Sequence, residues 1–375
     1  MLKNLFLTIL VCLAVLGCNN PASGGGGNAY PLSYAVYVKE GGTGTGASWI
    51  DALGDLQDAI ELAAKAEDKT HVLIQEGTYY PTSHPNGGSG ERGQHFSLRK
   101  GVTVIGGFAG TEKDNEPLGG ETVLSGDSGT PGDTSDNVYH VFYHPEMTPA
   151  LDGSAEMKNV TISGGRANGS NPRTYGGGMY NSCSSPALTN CSFSGNESTY
   201  GGGMYNFSNS PALENCTFSG NKSGYGGGMY NSGGRPVLTN CTFSENTAAT
   251  NGGGMFNYGY NLAVYGSILV GNSAGSNPEY LDAFATGSTD NLIGDGTSIT
   301  VSTVFHDIDG NGKAVLKENG STTTRTLMIK AGGDAQDKIM GGPPVWLPDT
   351  DQRGVGRPQG SAADIGAVER QSSDP

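Results

Sequence analysis

Basic residues are scarce in this sequence. It contains 21 Lys and Arg residues against 36 Asp and Glu, which gives a formal net charge of −15 over 375 residues. Proteins that bind nucleic acid usually present a basic patch or stripe. The composition therefore argues against nucleic acid as a partner.

Long apolar runs are absent after the N-terminus. A membrane-spanning helix needs about 20 apolar residues in succession, and only Leu5–Leu16 comes near that character. Because Lys3 precedes this run, residues 1–17 are typical of a signal peptide. Val15-Leu16-Gly17-Cys18 then resembles a bacterial lipobox, although Leu16 stands where a small residue is usual.

The resemblance implies a lipid on Cys18 and attachment to a membrane through acyl chains. Residues 18–33 follow as a Gly-rich tether, since Asn19–Gly27 has the composition of a flexible linker. The alternative is an ordinary secretory signal with an incidental cysteine.

What the chain has in abundance is glycine, 63 residues without the period of collagen. Gly-Gly-Gly-Met-Tyr-Asn begins at Gly176, Gly201 and Gly226, and Gly-Gly-Gly-Met-Phe-Asn begins at Gly252, at spacings of 25, 25 and 26 residues. A fixed period of this size indicates a solenoid or propeller. The apolar runs within each period are too short for helices, so we predict an all-β fold, a right-handed parallel β-helix with two or three short strands per rung.

Equal positions in successive rungs should stack about 4.8 Å apart. We expect four inward ladders, made of methionine, leucine, phenylalanine and cysteine: Met179, Met204, Met229 and Met255; Leu188, Leu213 and Leu238; Phe193, Phe218 and Phe243; and Cys191, Cys216 and Cys241. The cysteines are predicted to be buried thiols. A disulfide framework is the alternative, because Cys183 makes their number even. Asn190, Asn215 and Asn240 should turn the chain and bond from rung to rung.

The β-helix is predicted over residues 34–290, with regular repeats at 157–272 and a C-terminal closing segment at 291–375. An amphipathic helix should open at Ser48–Asp51 and cover the first rung, with Leu53, Leu56, Ile60 and Ala63/Ala64 on its apolar side. Residues 81–95 and 126–137 form long polar loops that could build a surface on one side of the coil.

Several segments resemble bacterial surface proteins. Gly-Thr-Gly-Ala-Ser-Trp-Ile-Asp and Glu76-Gly-Thr-Tyr-Tyr-Pro81 are similar to the N-terminal cap of β-helix surface proteins. The Gly-Gly-Gly-Met-Tyr-Asn and Phe-x-x-Asn phrases resemble repeats of the polymorphic outer-membrane proteins, and Asp351-Gln-Arg-Gly and Asp364–Glu369 resemble the end of "choice-of-anchor" β-helix proteins. These resemblances imply a surface location and no particular activity.

Polysaccharide lyases and hydrolases also use this fold, yet the Asp-Asp pair and Gly-His-Gly of pectinase-type hydrolases do not occur here. The regular rungs offer almost no paired carboxylates for glycoside hydrolysis, because Glu197, Glu214 and Glu245 stand at different repeat positions. A catalytic site could still assemble from the early loops, with Glu91, Arg92, His84 and His95 as candidates.

One segment has the spacing of a calcium loop. Asp307, Asp309, Asn311 and Glu318 occupy positions 1, 3, 5 and 12 of an EF-hand-like pattern. The alternative is an acidic turn between two strands, because residues 301–305 have the pattern of a strand and not of an entering helix.

An aromatic stripe is the remaining candidate. If the methionines face inward, Tyr180, Tyr205, Tyr230 and Phe256 face outward, and Tyr175, Tyr200 and Tyr225 form a second register. Such rows can bind sugars or a protein partner, or can simply stabilise the solenoid by stacking.

We therefore expect a cell-envelope lipoprotein, exposed on the outer membrane. Its predicted role is that of a non-catalytic adhesin or scaffold that binds a glycan or a cell-surface protein. The alternatives are a polysaccharide lyase or hydrolase of the same fold and a purely structural envelope protein.

Overall fold

The computed structural model describes residues 35–66, 70–111, 117, 119–259, 262–281, 288–294 and short pieces beyond these, namely 304–305, 308–310, 313–314, 330, 335–336, 348, 350–352, 355–357 and 364–367. The predicted signal peptide, Cys18 and the tether lie outside the described residues. Within the described part of the chain, no helix is long and apolar enough to cross a membrane.

Four parallel sheets run along the coil, numbered here in the order in which each repeat visits them. The first sheet contains Ala35–Val38, His71–Gln75, Thr103–Phe108, Glu156–Lys158, Ala187–Thr189, Ala212–Glu214, Val237–Thr239 and Ala263–Tyr265. The second contains Gly77–Tyr79, Thr122–Ser125, Thr161–Ser163, Ser192–Ser194, Thr217–Ser219, Thr242–Ser244, Ile268–Leu269 and Leu292–Ile293. The third contains Arg166–Ala167, Glu197–Ser198, Lys222–Tyr225, Thr247–Asn251 and Ser273–Ser276. The fourth contains Phe142–His144, Met179–Ser182, Met204–Phe207, Met229–Ser232, Met255–Tyr258 and Tyr280–Leu281.

A regular repeat thus carries four strands, one or two more than predicted, because the two-to-five-residue strands of the third sheet contain no apolar run to reveal them. The predicted stacking is confirmed. Met179 pairs with Met204, Leu188 with Leu213 and Phe193 with Phe218, each in parallel register. Each residue of the four predicted inward ladders has at most 1% of its surface exposed.

Stacked rings and thiols fill the interior. The rings of Phe193, Phe218 and Phe243 lie parallel, with centroids 4.6 and 4.5 Å apart. Cys191, Cys216 and Cys241 are buried and free, and no disulfide joins the cysteines that the structure describes. The buried-thiol prediction is therefore confirmed.

Backbone conformation and close contacts explain why each repeat carries three consecutive glycines. The first glycine of the triplet, as at Gly201, has φ +68°, which favours glycine. A Cβ on the third residue, Gly203, would lie 2.6 Å from the Gly228 carbonyl oxygen of the next rung and 2.9 Å from the Phe218 ring. The triplet therefore lets the chain turn and then pass tightly against both its neighbour and the core.

Asparagines form ladders on three sides of the coil. The predicted one is confirmed for Asn190 and Asn215: Asn190 donates to Asn159 (3.1 Å) and Asn215 donates to Asn190 (3.2 Å), at φ values of 51–57°. Asn240 has the same left-handed backbone (φ 51°), but its side chain bonds to the Gly266 carbonyl oxygen and to Arg357 and does not continue the ladder. Asparagine tolerates this left-handed conformation better than most residues. Two further ladders are more deeply buried: Asn181, Asn206 and Asn231; and Asn196, Asn221, Asn246 and Asn272.

The N-terminal helix begins later than predicted. It spans Leu56–Lys65, and the Asp55 side chain caps it by accepting from the Asp58 N–H. Residues 48–51 form a turn instead, because Asp51 is bound by Thr45. Leu56, Ile60 and Ala63 are buried in the same core cluster as the first strands, so the helix covers the open end of the coil. Ala64, which we placed on the apolar side, is exposed.

Two described parts of the C-terminal segment, residues 351–352 and 364–367, pack beside the coil. Gln352 donates to the carbonyl oxygen of Cys191 (3.3 Å) and the hydroxyl of Ser192 (3.1 Å), and it accepts from Thr217 (2.7 Å). Ala367 N–H donates to the Thr242 hydroxyl. These contacts explain why outward-facing hydroxyl residues of the second sheet are buried.

Candidate functional site

An aromatic band follows the fourth sheet and the turn before it. Its first row is Tyr143, Tyr180, Tyr205, Tyr230 and Phe256, and its second row is Tyr175, Tyr200 and Tyr225. Six of the predicted binding-face residues are only half-buried, whereas Tyr205 is 8% exposed. The structure extends the predicted stripe by one member, Tyr143.

Stacking occupies much of the ring faces in this band. Tyr180 and Tyr205 lie nearly parallel with centroids 5.6 Å apart, and Tyr230 and Phe256 are parallel at 4.8 Å. Tyr200 meets Tyr230 edge to face at 5.4 Å. A ligand would therefore meet ring edges and hydroxyl groups. Burial raises the pKa of Tyr180, Tyr205 and Tyr230, so these hydroxyls remain protonated donors.

A pocket of about 250 Å³ lies at the N-terminal end of the band. Tyr143 belongs to both, because it stacks on Tyr180 at 5.2 Å and also lines the pocket. The full lining is Asn86, Gly87, Gly88, Gly93, His95, Tyr139, His140, Tyr143, Pro172 and Arg173. This volume is just below the usual range of ligand sites, which begins at about 300 Å³, and suits a single sugar ring.

Three loops meet to form the walls. Residues 81–95 are tied to the fourth sheet by Asn86, whose Nδ2 donates to the Tyr143 carbonyl oxygen at 2.6 Å and whose N–H donates to His95 Nε2 at 3.3 Å. The loop before Gly176 contributes Arg173, held by a turn in which its N–H donates to Ser170. The segment 137–140 supplies Tyr139 and His140. Backbone and amide hydrogen bonds thus fix the walls of the pocket.

His140 has one satisfied and one unsatisfied nitrogen. Nδ1 lies 3.0 Å from the Gly176 carbonyl oxygen, which can only accept, so Nδ1 carries the proton. Nε2 is then a lone-pair acceptor, and it is buried without a partner in the described structure. Burial, helped by the nearby His95 and Arg173, lowers the pKa of His140 to about 4, so the ring is neutral near pH 7.

Two guanidinium groups lie over the Tyr139 ring. Arg92 Cζ is 4.3 Å and Arg173 Cζ is 4.9 Å from its centroid. Arg92 also donates to Asn137, Arg166 and Asn168. For Arg173, no side-chain hydrogen bond or ion pair is formed within the described residues, and no Asp or Glu lines the pocket.

Some candidates named from the sequence meet at this pocket. His95 lines it, His84 packs against Gly88 and Gly93 beside it, and Arg92 holds Tyr139. Glu91 is exposed on the short 3₁₀ helix Glu91–Gly93 and is not a lining residue. His140, Tyr139 and Tyr143 could not be predicted as site residues, because no motif or spacing in the sequence connects this dispersed histidine with the two tyrosines.

The calcium candidate remains a prediction. Asp307, Asn311 and Glu318 lie outside the described residues. Asp309 accepts from the Lys313 N–H at 2.9 Å, and Ile308 bridges antiparallel to Ala314. Among the described residues, no three His, Cys, Asp or Glu side chains form a metal-binding group.

Comparison with known proteins supports the architecture. A family model described as a right-handed β-helix region matches residues 142–303. No curated protein matches the chain significantly. Together with the four parallel sheets, the family match identifies an all-β repeat protein, a right-handed parallel β-helix.

Two solved structures are similar at low identity. The pectate lyase Pel9A is 15% identical over 90% of this chain and 96% of its own, with a TM-score of 0.40. An ι-carrageenase of family GH82 from A. fortis is 15% identical over 66% of this chain and 56% of its own, with a TM-score of 0.23.

Proposed function

We propose that this protein is a non-catalytic glycan-binding β-helix of the bacterial cell surface. The observation that carries the proposal is the junction of the aromatic band with the pocket at Tyr143. Tyrosine hydroxyls, a neutral imidazole and a guanidinium are groups that hydrogen-bond sugar hydroxyls, and aromatic rings contact their apolar faces.

Rigidity supports a binding role. The band is built on paired strands whose register is set by the rungs, so its hydroxyl groups keep a regular spacing. A repetitive face of this kind fits a repetitive polymer better than a single small molecule. The glycan would lie along the band with one terminal or branching sugar in the pocket.

A polysaccharide lyase is the second candidate. Arg173 could neutralise the carboxylate of an acidic sugar, and His140, which lines the same pocket, has an unprotonated but buried Nε2. A histidine whose pKa is about 4 is, however, a weak base. Glycoside hydrolysis is disfavoured because the lining lacks the two carboxyl groups that it needs.

The test is a glycan-array screen with the full-length protein in detergent, together with assays for reducing ends and unsaturated sugars. Tyr180→Phe combined with Tyr230→Phe removes two hydroxyls but keeps the stacked rings, so it should weaken binding without changing the unfolding midpoint. Tyr80→Phe, which removes an exposed hydroxyl outside the band, is the control. Binding without turnover is expected; turnover would overturn the non-catalytic assignment, and no binding to any glycan would overturn the proposal.

The lipid anchor on Cys18 is part of the same proposal and is supported by the sequence alone. A Cys18→Ser variant should lose labelling by a fatty-acid probe and leave the envelope fraction. Retention of both in the variant would refute the anchor.

A further inference from the structure

Among the described residues that line the pocket, Arg173 is a cation without a side-chain hydrogen bond or ion pair, and His140 has a buried acceptor without a partner. This combination selects a ligand. Arg173 is the cation, and His140 Nε2 is the acceptor. A neutral sugar would satisfy the acceptor and leave the guanidinium without a charged partner. A fully deprotonated inorganic anion such as sulfate would pair with the guanidinium and offer no donor to Nε2.

We propose that the pocket is a subsite for an acidic sugar bearing a carboxylate, that is, a uronic acid residue of the glycan. This inference rests on the proposed glycan-binding function and names its ligand class. Arg173 pairs with the carboxylate, and His140 Nε2 accepts a hydrogen bond from a ring hydroxyl.

The electrostatics of the pocket suit a negative charge, although the chain as a whole carries −15. No carboxylate lines the pocket, and Arg92 adds a second positive charge beside Tyr139. Because His140 is neutral through burial, it offers a lone pair and no competing charge. The Arg173 side chain therefore retains all its donors for a ligand.

The planar guanidinium distinguishes among anions. It can donate two parallel hydrogen bonds to a planar carboxylate. The position of the Arg173 guanidinium over the Tyr139 ring, 4.9 Å from its centroid, restricts the side chain in the free protein and so reduces the entropy lost on binding. A tetrahedral sulfate would meet the same cation with different geometry, so sulfated sugars are a distinct arm of the test.

The experiment measures affinities of the full-length protein for methyl glucuronide, methyl galacturonide, their neutral parents and glucose 6-sulfate. Hydrogen bonds to charged groups predict that each uronide binds about tenfold to hundredfold more tightly than its parent. Arg173→Met should abolish that preference, and Arg173→Lys should retain part of it. His140→Asn keeps a donor for Gly176 but removes Nε2, and should weaken uronide and parent alike.

Arg235→Met is the matched control, because it removes an equal charge from an exposed turn outside the pocket lining. Equal unfolding midpoints confirm that each variant is folded. Equal affinity for uronides and neutral parents, tighter binding of the sulfated sugar, or a preference that survives Arg173→Met would each overturn the inference. The glycan array separates this failure from the larger one, since neutral glycans would then still bind.

Discussion

Acidification should destabilise the fold through His144, a histidine buried at the head of an asparagine ladder. Its Nδ1 donates to Asn181 (2.7 Å), and its Nε2 accepts from the Leu98 N–H (3.0 Å). Protonation of Nε2 would break the bond from Leu98 and place a charge in the core. Burial accordingly lowers the pKa of His144 to about 3.

The size of this loss of stability follows from the difference between the pKa of His144 in the folded chain and its pKa in the unfolded chain. In the unfolded chain a histidine titrates near pKa 6.5, so between that value and about 3 the unfolded state binds the proton and the folded state does not. Stability from His144 is therefore complete above about pH 6.5 and is lost as pH falls. At about 1.4 kcal/mol per pH unit, the loss near pH 5 is about 2 kcal/mol.

Urea unfolding of wild type and His144→Gln near pH 5 and near pH 8 isolates this effect. The free-energy difference between the two proteins should shrink by about 2 kcal/mol at the lower pH, because only the wild type carries the titrating group. Leu98→Ala, which removes a buried neighbour without a titrating group, should cost the same at both values. A His144→Gln difference that does not change with pH would refute the assignment, as would an NMR titration of the His144 ring near its ordinary pKa.

Two further predictions concern the glycine triplet and Glu279, which accepts a hydrogen bond from Asn272 at the end of an asparagine ladder. Gly203→Ala should destabilise the protein by about 1–3 kcal/mol, since its Cβ would overlap the next rung, whereas Gly153→Ala, which meets no atom within 4 Å, should be nearly neutral in the same urea titration. Burial raises the pKa of Glu279 to about 7, so Glu279 stabilises the fold at low pH and loses that contribution as pH rises through 7. Glu279→Gln should therefore gain about 2 kcal/mol relative to wild type between pH 5 and pH 8, and an unchanged difference would contradict the shift.

The sequence repeat by itself determines most of the architecture. A period of 25 residues leaves room for one rung, and parallel stacking then places every repeated residue on its own copy. The methionine, leucine, phenylalanine and cysteine ladders follow from strand parity alone. The ladder of Asn190 and Asn215 could also be predicted from the sequence, because left-handed turns favour asparagine. The third sheet and the first residue of the helix could not be predicted, because polar strands and a cap at Asp55 leave weaker patterns in the sequence.

Tertiary structure decided the pocket, the exposure of the aromatic band and the position of the C-terminal segment. His140, Arg173 and Asn86 do not belong to the repeat and lie in segments of different length. No periodicity in the sequence therefore places them together. Their meeting depends on where two long insertions fold over the first rungs. The band itself was predicted as a row of outward rings, but only the packing of Tyr175 at 4.6 Å against Tyr205 shows how much of each face is covered. Repeated positions are governed by local rules, whereas the candidate site depends on contacts between segments that the repeat does not specify.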